Sequence, residues 1–235
     1  WSQEGDREFL YWTENVHAPK GGPRLGGRVI KTDLDGNVLF QLGNVDKESD
    51  TARKFELTNP TDVAVAPNGD IYLVDGYGSQ KMHRFDSEFR HKKTIGGPGK
   101  EPGKFSTCHG VWVSLFGKEP EVYVADRYNG RLQVFDPDLK YKRSVPGMRT
   151  TSCFYQQAGR TYVADLAARV TVLDEKDKVV AQLGDGLELS KAKADPVKHP
   201  EAFFAPHAVA LDSKGNLYVI EWLPSGRPRK FKPVA

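Results

Sequence analysis

Cysteine is scarce in this sequence, which has two such residues, Cys108 and Cys153, among 235. Two cysteines are too few for a disulfide-rich scaffold, and no CxxC spacing joins them into a metal-binding or redox motif. Their number favours two free, buried thiols over a single disulfide bond. The small secreted domains that depend on several cystine bridges are therefore excluded.

Long apolar runs and a strong charge excess are also missing. No hydrophobic stretch approaches the roughly 20 residues that a membrane-spanning helix needs, so we predict no membrane partner. The 34 basic and 31 acidic residues are interleaved and give a net charge of +3. We predict no nucleic-acid binding, because solvated surfaces explain the short basic runs at 140–143 and 227–232.

Glycine and proline, by contrast, are plentiful and evenly spread. The 23 glycines and 15 prolines suit a chain of many short strands joined by turns. A hydrophobic content of 38% and an aromatic content of 11% are enough for a real core. These features indicate an all-β protein.

The sequence also repeats itself, and the repeat decides the fold prediction. Four segments share a turn and then an aromatic-aliphatic strand that ends in an acid, and residues 4–14 match the end of a fifth segment. Each unit continues through a polar loop into a strand, an Asp-centred turn and another strand, with the period-2 alternation of a hairpin. The four segments are TDVAVAPNGDIYLVD (61–75), HGVWVSLFGKEPEVYVAD (109–126), TSCFYQQAGRTYVAD (151–165) and HAVALDSKGNLYVIE (207–221).

Four strands in each unit of about 40 residues predict the blades of a β-propeller that occupies residues 1–235 as one domain. A long β-sandwich is the alternative. The alignment shows four blades and a fifth without its first strand, so we expect part of the propeller to be missing at the N-terminal side. A longer natural protein and a smaller five-bladed propeller both remain open, although an unpaired sheet edge favours the longer protein.

The repeats place equivalent residues at the start of each innermost strand: Thr61, His109, Thr151 and His207. Innermost strands line the central channel of a propeller, so these positions form a ring around one axis. Neutral imidazole nitrogen is a preferred zinc ligand, and we predict that His109 and His207 bind a divalent metal, most readily Zn²⁺. The counterpart of His109 in the first repeat falls four residues before Trp1, where we expect a third ligand. A strand start capped by imidazole is the alternative.

Other recurring or scattered polar residues receive structural interpretations. An acid ends the second strand of every unit, and we expect it to bind loop backbone amides. These blade acids are Glu14, Asp75, Asp126, Asp165 and Glu221. Histidines outside the ring are expected on the surface or in loops, and they are His17, His83, His91 and His199.

The repeat motifs resemble a known family. PTDVAVAPNGDIYLVD resembles an NHL repeat, and FSTCHGVWV, VADRYNGRLQVFD and FFAPHAVALDSKGNLYV resemble the lyase domain of peptidylglycine amidating enzymes, peptidyl-α-hydroxyglycine α-amidating lyase. The resemblance implies a six-bladed NHL propeller with zinc held by histidines in its channel. It also implies a small-molecule or peptide substrate and a monomer, and it favours a secreted or periplasmic location over a cytoplasmic one.

The same resemblance assigns catalytic roles in the loops DGYGSQ (75–80) and DRYNGR (126–131). Tyr77 matches the family's proposed base, and Arg127 matches the arginine that binds the substrate. A phenol beside a metal ion and a guanidinium ionises readily, and the metal acts as a Lewis acid on the substrate hydroxyl. The implied activity is a metal-dependent carbon–nitrogen lyase that splits a carbinolamide into an amide and an aldehyde.

Non-catalytic interpretations stay open for these loops. Tyr77 can simply pack in its loop, Arg127 can pair with Asp75 or Asp126, and Tyr128 is an alternative base. The family's Met-Pro-His-Asp motif is Ala-Pro-His-Ala at residues 205–208, so a calcium site built on that aspartate is not expected.

Two further function classes compete with the lyase. One is a non-catalytic NHL propeller that binds a protein or peptide on its channel face. The other is a lactonase-like hydrolase, against which the ring of threonine and histidine argues.

Overall fold

A computed structural model of the chain describes residues 1–15, 26–224 and 227–233. The described residues form five β-sheets, with one short helix, α1 (Leu187–Lys191), and two single 3-10 turns at Arg127–Asn129 and Pro196–Lys198. None of the described helices has the length and apolarity needed to cross a membrane. The predicted all-β class is confirmed.

The first two sheets are consecutive along the chain. Blade 1 contains β1 (Ser2–Glu4), β2 (Arg7–Glu14), β3 (Arg28–Thr32), β4 (Val38–Gly43) and β5 (Ala52–Lys54). Blade 2 contains β6 (Asp62–Val65), β7 (Ile71–Asp75), β8 (Lys81–Phe85) and β9 (His91–Gly96).

The remaining three sheets continue in the same order. Blade 3 contains β10 (Cys108–Ser114), β11 (Glu121–Asp126), β12 (Arg131–Phe135) and β13 (Tyr141–Val145). Blade 4 contains β14 (Thr151–Gln157), β15 (Arg160–Asp165), β16 (Arg169–Asp174) and β17 (Val179–Leu183). Blade 5 contains β18 (Pro206–Leu211), β19 (Leu217–Glu221) and β20 (Arg229–Phe231).

Each blade is an antiparallel meander in which strands pair in chain order, except that β5 joins β4 in parallel. The first blade differs from the alignment, because the three-residue strand β1 pairs with β2 where no innermost strand was expected. The last blade has three strands within the described residues. The innermost strands β6, β10, β14 and β18 pack against one another in that order, as the strands around a propeller channel do.

The core consists of four apolar clusters, one at each junction between neighbouring blades. Alternation along β11 shows how the sequence builds them. Val122 and Val124 pack toward blade 2, whereas Tyr123 and Ala125 pack toward blade 4. Because successive side chains point to opposite faces, a strand that is apolar at every position buries both faces of its blade.

Four of the five blade acids bind backbone amides of the loop that precedes their blade, as predicted. Asp126 is fully buried and accepts a hydrogen bond from the Ser106 amide at 2.7 Å, while Arg131 pairs with its other oxygen at 2.7 Å. Equivalent bonds to loop amides are made by Asp75, Asp165 and Glu221. Glu14 differs, because its carboxylate forms an ion pair with Arg28. This guanidinium holds the pKa of the Glu14 carboxyl below its usual range.

The cysteine and outer-histidine predictions have mixed outcomes. Cys108 and Cys153 are both free thiols, the first buried and the second partly buried. His91 is exposed, but His83 is not the surface residue that was expected. The strand β8 turns His83 inward against Phe55, and burial lowers its pKa to about 4. His199 is partly exposed in a loop, and His17 lies outside the described residues.

Candidate functional site

Three innermost strands are irregular at the predicted ring. The strand pairing slips by one residue at 109–110 in β10, at 152–153 in β14 and at His207 in β18. A β-bulge of this kind re-aims side chains at the rim of a sheet. At Gly110 a Cβ atom would lie 2.7 Å from the carbonyl oxygen of Ser152, so only glycine allows β10 to approach β14 this closely.

The bulges bring His109 and His207 together, although they are 98 positions apart in the sequence. Their ring centroids lie 4.9 Å apart and the rings are nearly perpendicular, at 85°. His109 is buried, whereas His207 is partly exposed. The alignment of the repeats thus predicted a real contact between two blades.

Both imidazoles are neutral near pH 7. Burial, followed by Arg127 and His207, lowers the pKa of His109 to about 2, and burial and Arg127 also lower the pKa of His207. Nδ1 of His109 lies 3.3 Å from the carbonyl oxygen of Ser152, which can only accept a hydrogen bond. This nitrogen therefore carries the proton, and Nε2 keeps the lone pair that a metal or a substrate proton can use.

Tyr77 and Arg127 join the histidine pair, as the resemblance implied. Nη1 of Arg127 donates a hydrogen bond to the Tyr77 hydroxyl at 2.7 Å. The Tyr77 ring lies edge-on to His109 with a centroid distance of 5.5 Å. The four predicted site residues, from blades 2, 3 and 5, thus form one connected group.

Arg127 is buried, with 3% of its surface exposed, and its partners are neutral. Besides Tyr77, it donates to the Thr151 carbonyl at 3.2 Å and to the Ser152 hydroxyl at 3.1 Å. No carboxylate among the described residues forms an ion pair with it, so the alternative pairing with the blade acids is not observed. Burying a charge without a counter-charge is costly, and the guanidinium is well suited to an anionic ligand.

Several site residues were missed by the sequence alone. Ser152 supplies both the carbonyl for His109 and the hydroxyl for Arg127. The Sγ atom of Cys153 lies 3.9 Å from Nδ1 of His109. The buried Thr151 hydroxyl has no hydrogen-bond partner in the part of the chain that the structure describes. The sequence contained one indication of these residues, because the repeat alignment places Thr151 in the ring with His109 and His207. The bulge that turns its two successors toward the site has no sequence signature.

The residues around the histidine pair satisfy only part of what a metal site requires. Two neutral imidazoles are suitable donors, but the described residues contain no group of three His, Cys, Asp or Glu side chains that could hold a metal ion. Cys153 lies beside the protonated nitrogen of His109 and not beside the free one, which does not suit a shared metal. Within the described chain, His109 and His207 supply two imidazoles suited to a metal, whereas a zinc site ordinarily needs at least three protein ligands.

Known proteins similar to this chain fall into two groups. NHL repeat-containing protein 3 of Homo sapiens is 33% identical over 133 residues, which cover 56% of this chain and 36% of that protein. A probable peptidyl-alpha-hydroxyglycine alpha-amidating lyase of Caenorhabditis elegans is 30% identical over 172 residues, which cover 71% of this chain and 47% of that protein. No protein-family profile matches the chain.

The chain is an NHL-type β-propeller. It resembles the lyases as well, and a peptidyl-alpha-hydroxyglycine alpha-amidating lyase of Drosophila melanogaster is 27% identical across 96% of the propeller. The propeller spans less than half the length of each of these three relatives. Hydrazine synthase of Kuenenia stuttgartiensis matches 88% of this chain and 60% of its own with a TM-score of 0.51 and 13% identity, a likeness of fold alone.

The propeller channel continues beyond the histidine pair as a largely apolar cavity of about 620 Å³. Asp62, which lines this cavity, accepts hydrogen bonds from the amides of Val63 at 2.9 Å and Val111 at 3.0 Å. Burial raises the pKa of Asp62 to about 6. Its carboxylate binds an amide of the neighbouring innermost strand and so joins blade 2 to blade 3.

Proposed function

We propose that this propeller is a lyase-like enzyme that cleaves the C–N bond of a carbinolamide, such as a peptide ending in α-hydroxyglycine. The observation that carries the proposal is the buried, acid-free Arg127 in contact with the Tyr77 hydroxyl and beside two neutral histidines. A guanidinium left without a counter-charge fits the carboxylate of such a substrate. The similarity to lyases supports the same reaction class.

The reaction can be written with residues of this chain. Tyr77 as phenolate removes the proton of the substrate hydroxyl, and the O–H electron pair forms the new C=O bond. The C–N electron pair then stays on nitrogen, which takes up a proton and leaves as the amide, while the other product is an aldehyde. An N–H group of Arg127 donates a hydrogen bond to the Tyr77 oxygen and so holds this oxygen in place for the proton transfer.

A divalent metal belongs to this proposal, with His109 and His207 as two of its ligands. When bound there, zinc would supply Lewis acidity toward the substrate hydroxyl. The neutral state of both imidazoles supports this role, since only neutral imidazole coordinates a metal.

Product and metal analysis test the proposal together. Protein incubated with an N-acylated α-hydroxyglycine peptide is expected to release the peptide amide and glyoxylate, detected by mass spectrometry, and to contain a divalent metal by elemental analysis. Absence of both products from metal-supplemented protein would contradict the lyase assignment. A His109→Ala/His207→Ala variant that kept the metal would contradict the ligand assignment.

The alternative is a non-catalytic NHL propeller that binds a protein or peptide at the channel mouth. The similarity to NHL repeat-containing protein 3 is compatible with it. It predicts peptide binding without turnover and without a requirement for the histidine pair, so the same assays separate the two functions.

A further inference from the structure

Large exposed aromatic side chains follow the blade acids in three blades. Tyr77 is 38% exposed, Tyr128 65% and Trp222 73%. Each stands one or two residues after the acid of its repeat, which places all three on the face of the propeller that carries the histidine pair. Single exposed aromatics are common, but aromatics within two residues of the blade acid in three blades form a patterned surface.

Two of these residues, Tyr128 and Trp222, have no ring contact or side-chain hydrogen bond within the described chain, and we call them the aromatic rim. Tyr77 differs, because it contacts His109 and Arg127. The rim residues belong to blades 3 and 5, which also supply His109 and His207. Their rings are free for a ligand.

The backbone holds the rim beside the site. The Tyr128 amide donates to the Ser106 carbonyl at 2.9 Å, and the Trp222 amide donates to the Ala205 carbonyl at 2.7 Å. Ser106 lies three residues before His109, and Ala205 lies two residues before His207. Each rim loop is therefore fixed to the segment that positions one histidine, as a binding surface requires.

We propose that the aromatic rim selects the side chain of the peptide residue that precedes the carboxyl-terminal one, and that it prefers aromatic side chains. This inference rests on the proposed function, in which Arg127 binds the terminal carboxylate. Consecutive residues of an extended peptide are about 3.5 Å apart, so the preceding residue lies within one residue length of that anchor. Tyr128 directly follows Arg127 in the chain, so its exposed ring is the part of the rim next to the proposed carboxylate anchor.

Binding of two uncleavable peptides tests the rim. The probes are acetyl-Gly-Phe-Gly and acetyl-Gly-Ala-Gly, which carry the carboxylate but no hydroxyl, measured by isothermal titration calorimetry. Wild-type protein is expected to bind the phenylalanine probe roughly tenfold more tightly, as stacking and burial of one aromatic ring allow. Tyr128→Ala/Trp222→Ala should bind both probes equally, and Trp222→Phe should keep most of the preference.

Leu115→Ala is the matched control, since Leu115 is 59% exposed but follows the opposite end of β10. It should keep the full preference. The proposal that the rim selects aromatic side chains would be overturned by any of three results. These are equal binding of both probes by wild-type protein, no binding of either probe, and an undiminished preference in the double variant.

The outcomes also separate this proposal from the lyase. A rim-dependent preference without cleavage of the hydroxylated peptides would support the rim and contradict the enzyme. Cleavage with equal kcat/KM for phenylalanine and alanine peptides would support the enzyme and contradict the selective role of the rim.

Discussion

Arg127 is buried and has no acidic partner among the described residues, and its charge affects the titratable groups around it. It contributes to the low pKa of His109 and of His207, after the larger effect of burial. It also donates to the Tyr77 hydroxyl at 2.7 Å. Burial and this one guanidinium thus favour neutral histidines, and the same guanidinium contacts the hydroxyl of the proposed base.

Removal of the Tyr77 hydroxyl oxygen tests the contact between Tyr77 and Arg127. Tyr77→Phe is expected to lower kcat by about 100-fold or more, because the proposed base is lost while the ring that contacts His109 remains. The unfolding midpoint should change little, since Tyr77 lies partly exposed at the channel mouth. Steady-state kinetics with an α-hydroxyglycine peptide measures the effect, with Tyr141→Phe on the outer strand β13 as control. Full activity in Tyr77→Phe, with loss in Tyr128→Phe, would instead assign the base to Tyr128.

At the residue scale, motifs and superposed repeats predicted which side chains would lie close together. Tyr77, Arg127, His109 and His207 came from motif and alignment, and the structure joins them into one group. Ser152 was not predicted, since its carbonyl and hydroxyl become site groups only through the bulge in β14. Thr151 occupies the predicted ring, but its unpartnered hydroxyl depends on packing that periodicity does not describe.

At the scale of elements, the blade acids connect strands to loops and so hold the loops that carry the site. Asp126 accepts hydrogen bonds from the Ser106 amide, Asn129, Arg131 and Gln133, and it has no exposed surface. The loop from Ser106 leads directly into His109. Stability and site geometry therefore depend on the same carboxylate.

Replacement of this carboxylate should be costly. Asp126→Ala leaves Arg131 and the loop amide without their acceptor, and we expect the free energy of unfolding to fall by about 3–5 kcal/mol. Asp138→Ala is the matched control, because Asp138 is a largely exposed partner of Arg84 and should cost less than about 1 kcal/mol. Urea denaturation measures both, and similar losses in the two variants would contradict the structural role of Asp126.

The burial of the Asp62 carboxyl group between two blades predicts a pH dependence of stability. Its pKa is raised by burial from 3.8 to about 6, so the folded protein holds this proton more tightly than the unfolded chain. Its stabilising contribution is complete below about pH 4 and is lost as pH rises through about 6. Relative to wild type, Asp62→Asn should therefore gain about 1–3 kcal/mol between pH 4 and pH 7. Urea unfolding at several pH values measures this, and a constant difference between the two proteins would refute it.

At the scale of the whole molecule, five blades converge on a channel where residues from distant parts of the chain meet. Apolar clusters at the four junctions set the spacing of the blades. The histidine pair lies between blades 3 and 5, so a metal bound there would connect two blades that are not neighbours.

Removal of the proposed metal should therefore destabilise the whole propeller. A ligand that binds only the folded state stabilises it by mass action, so chelation is expected to lower Tm in wild-type protein by several degrees. The His109→Ala/His207→Ala variant should show no chelator effect, while His91→Ala, which changes an exposed histidine of β9, should behave as wild type. Calorimetric scans with and without chelator decide this, and an equal shift in all three proteins would place the metal elsewhere.

The strand–turn–acid repeat was sufficient to predict an all-β propeller, its blade acids and the ring of candidate ligands, because strand alternation and turn chemistry are local properties of the chain. The contact between His109 and His207, the neutral partners of Arg127 and the inward position of His83 were decided by the tertiary structure. These features depend on the angle between blades and on bulges within strands. Both arise when apolar faces from separate blades pack together, and no local pattern in the sequence encodes that packing.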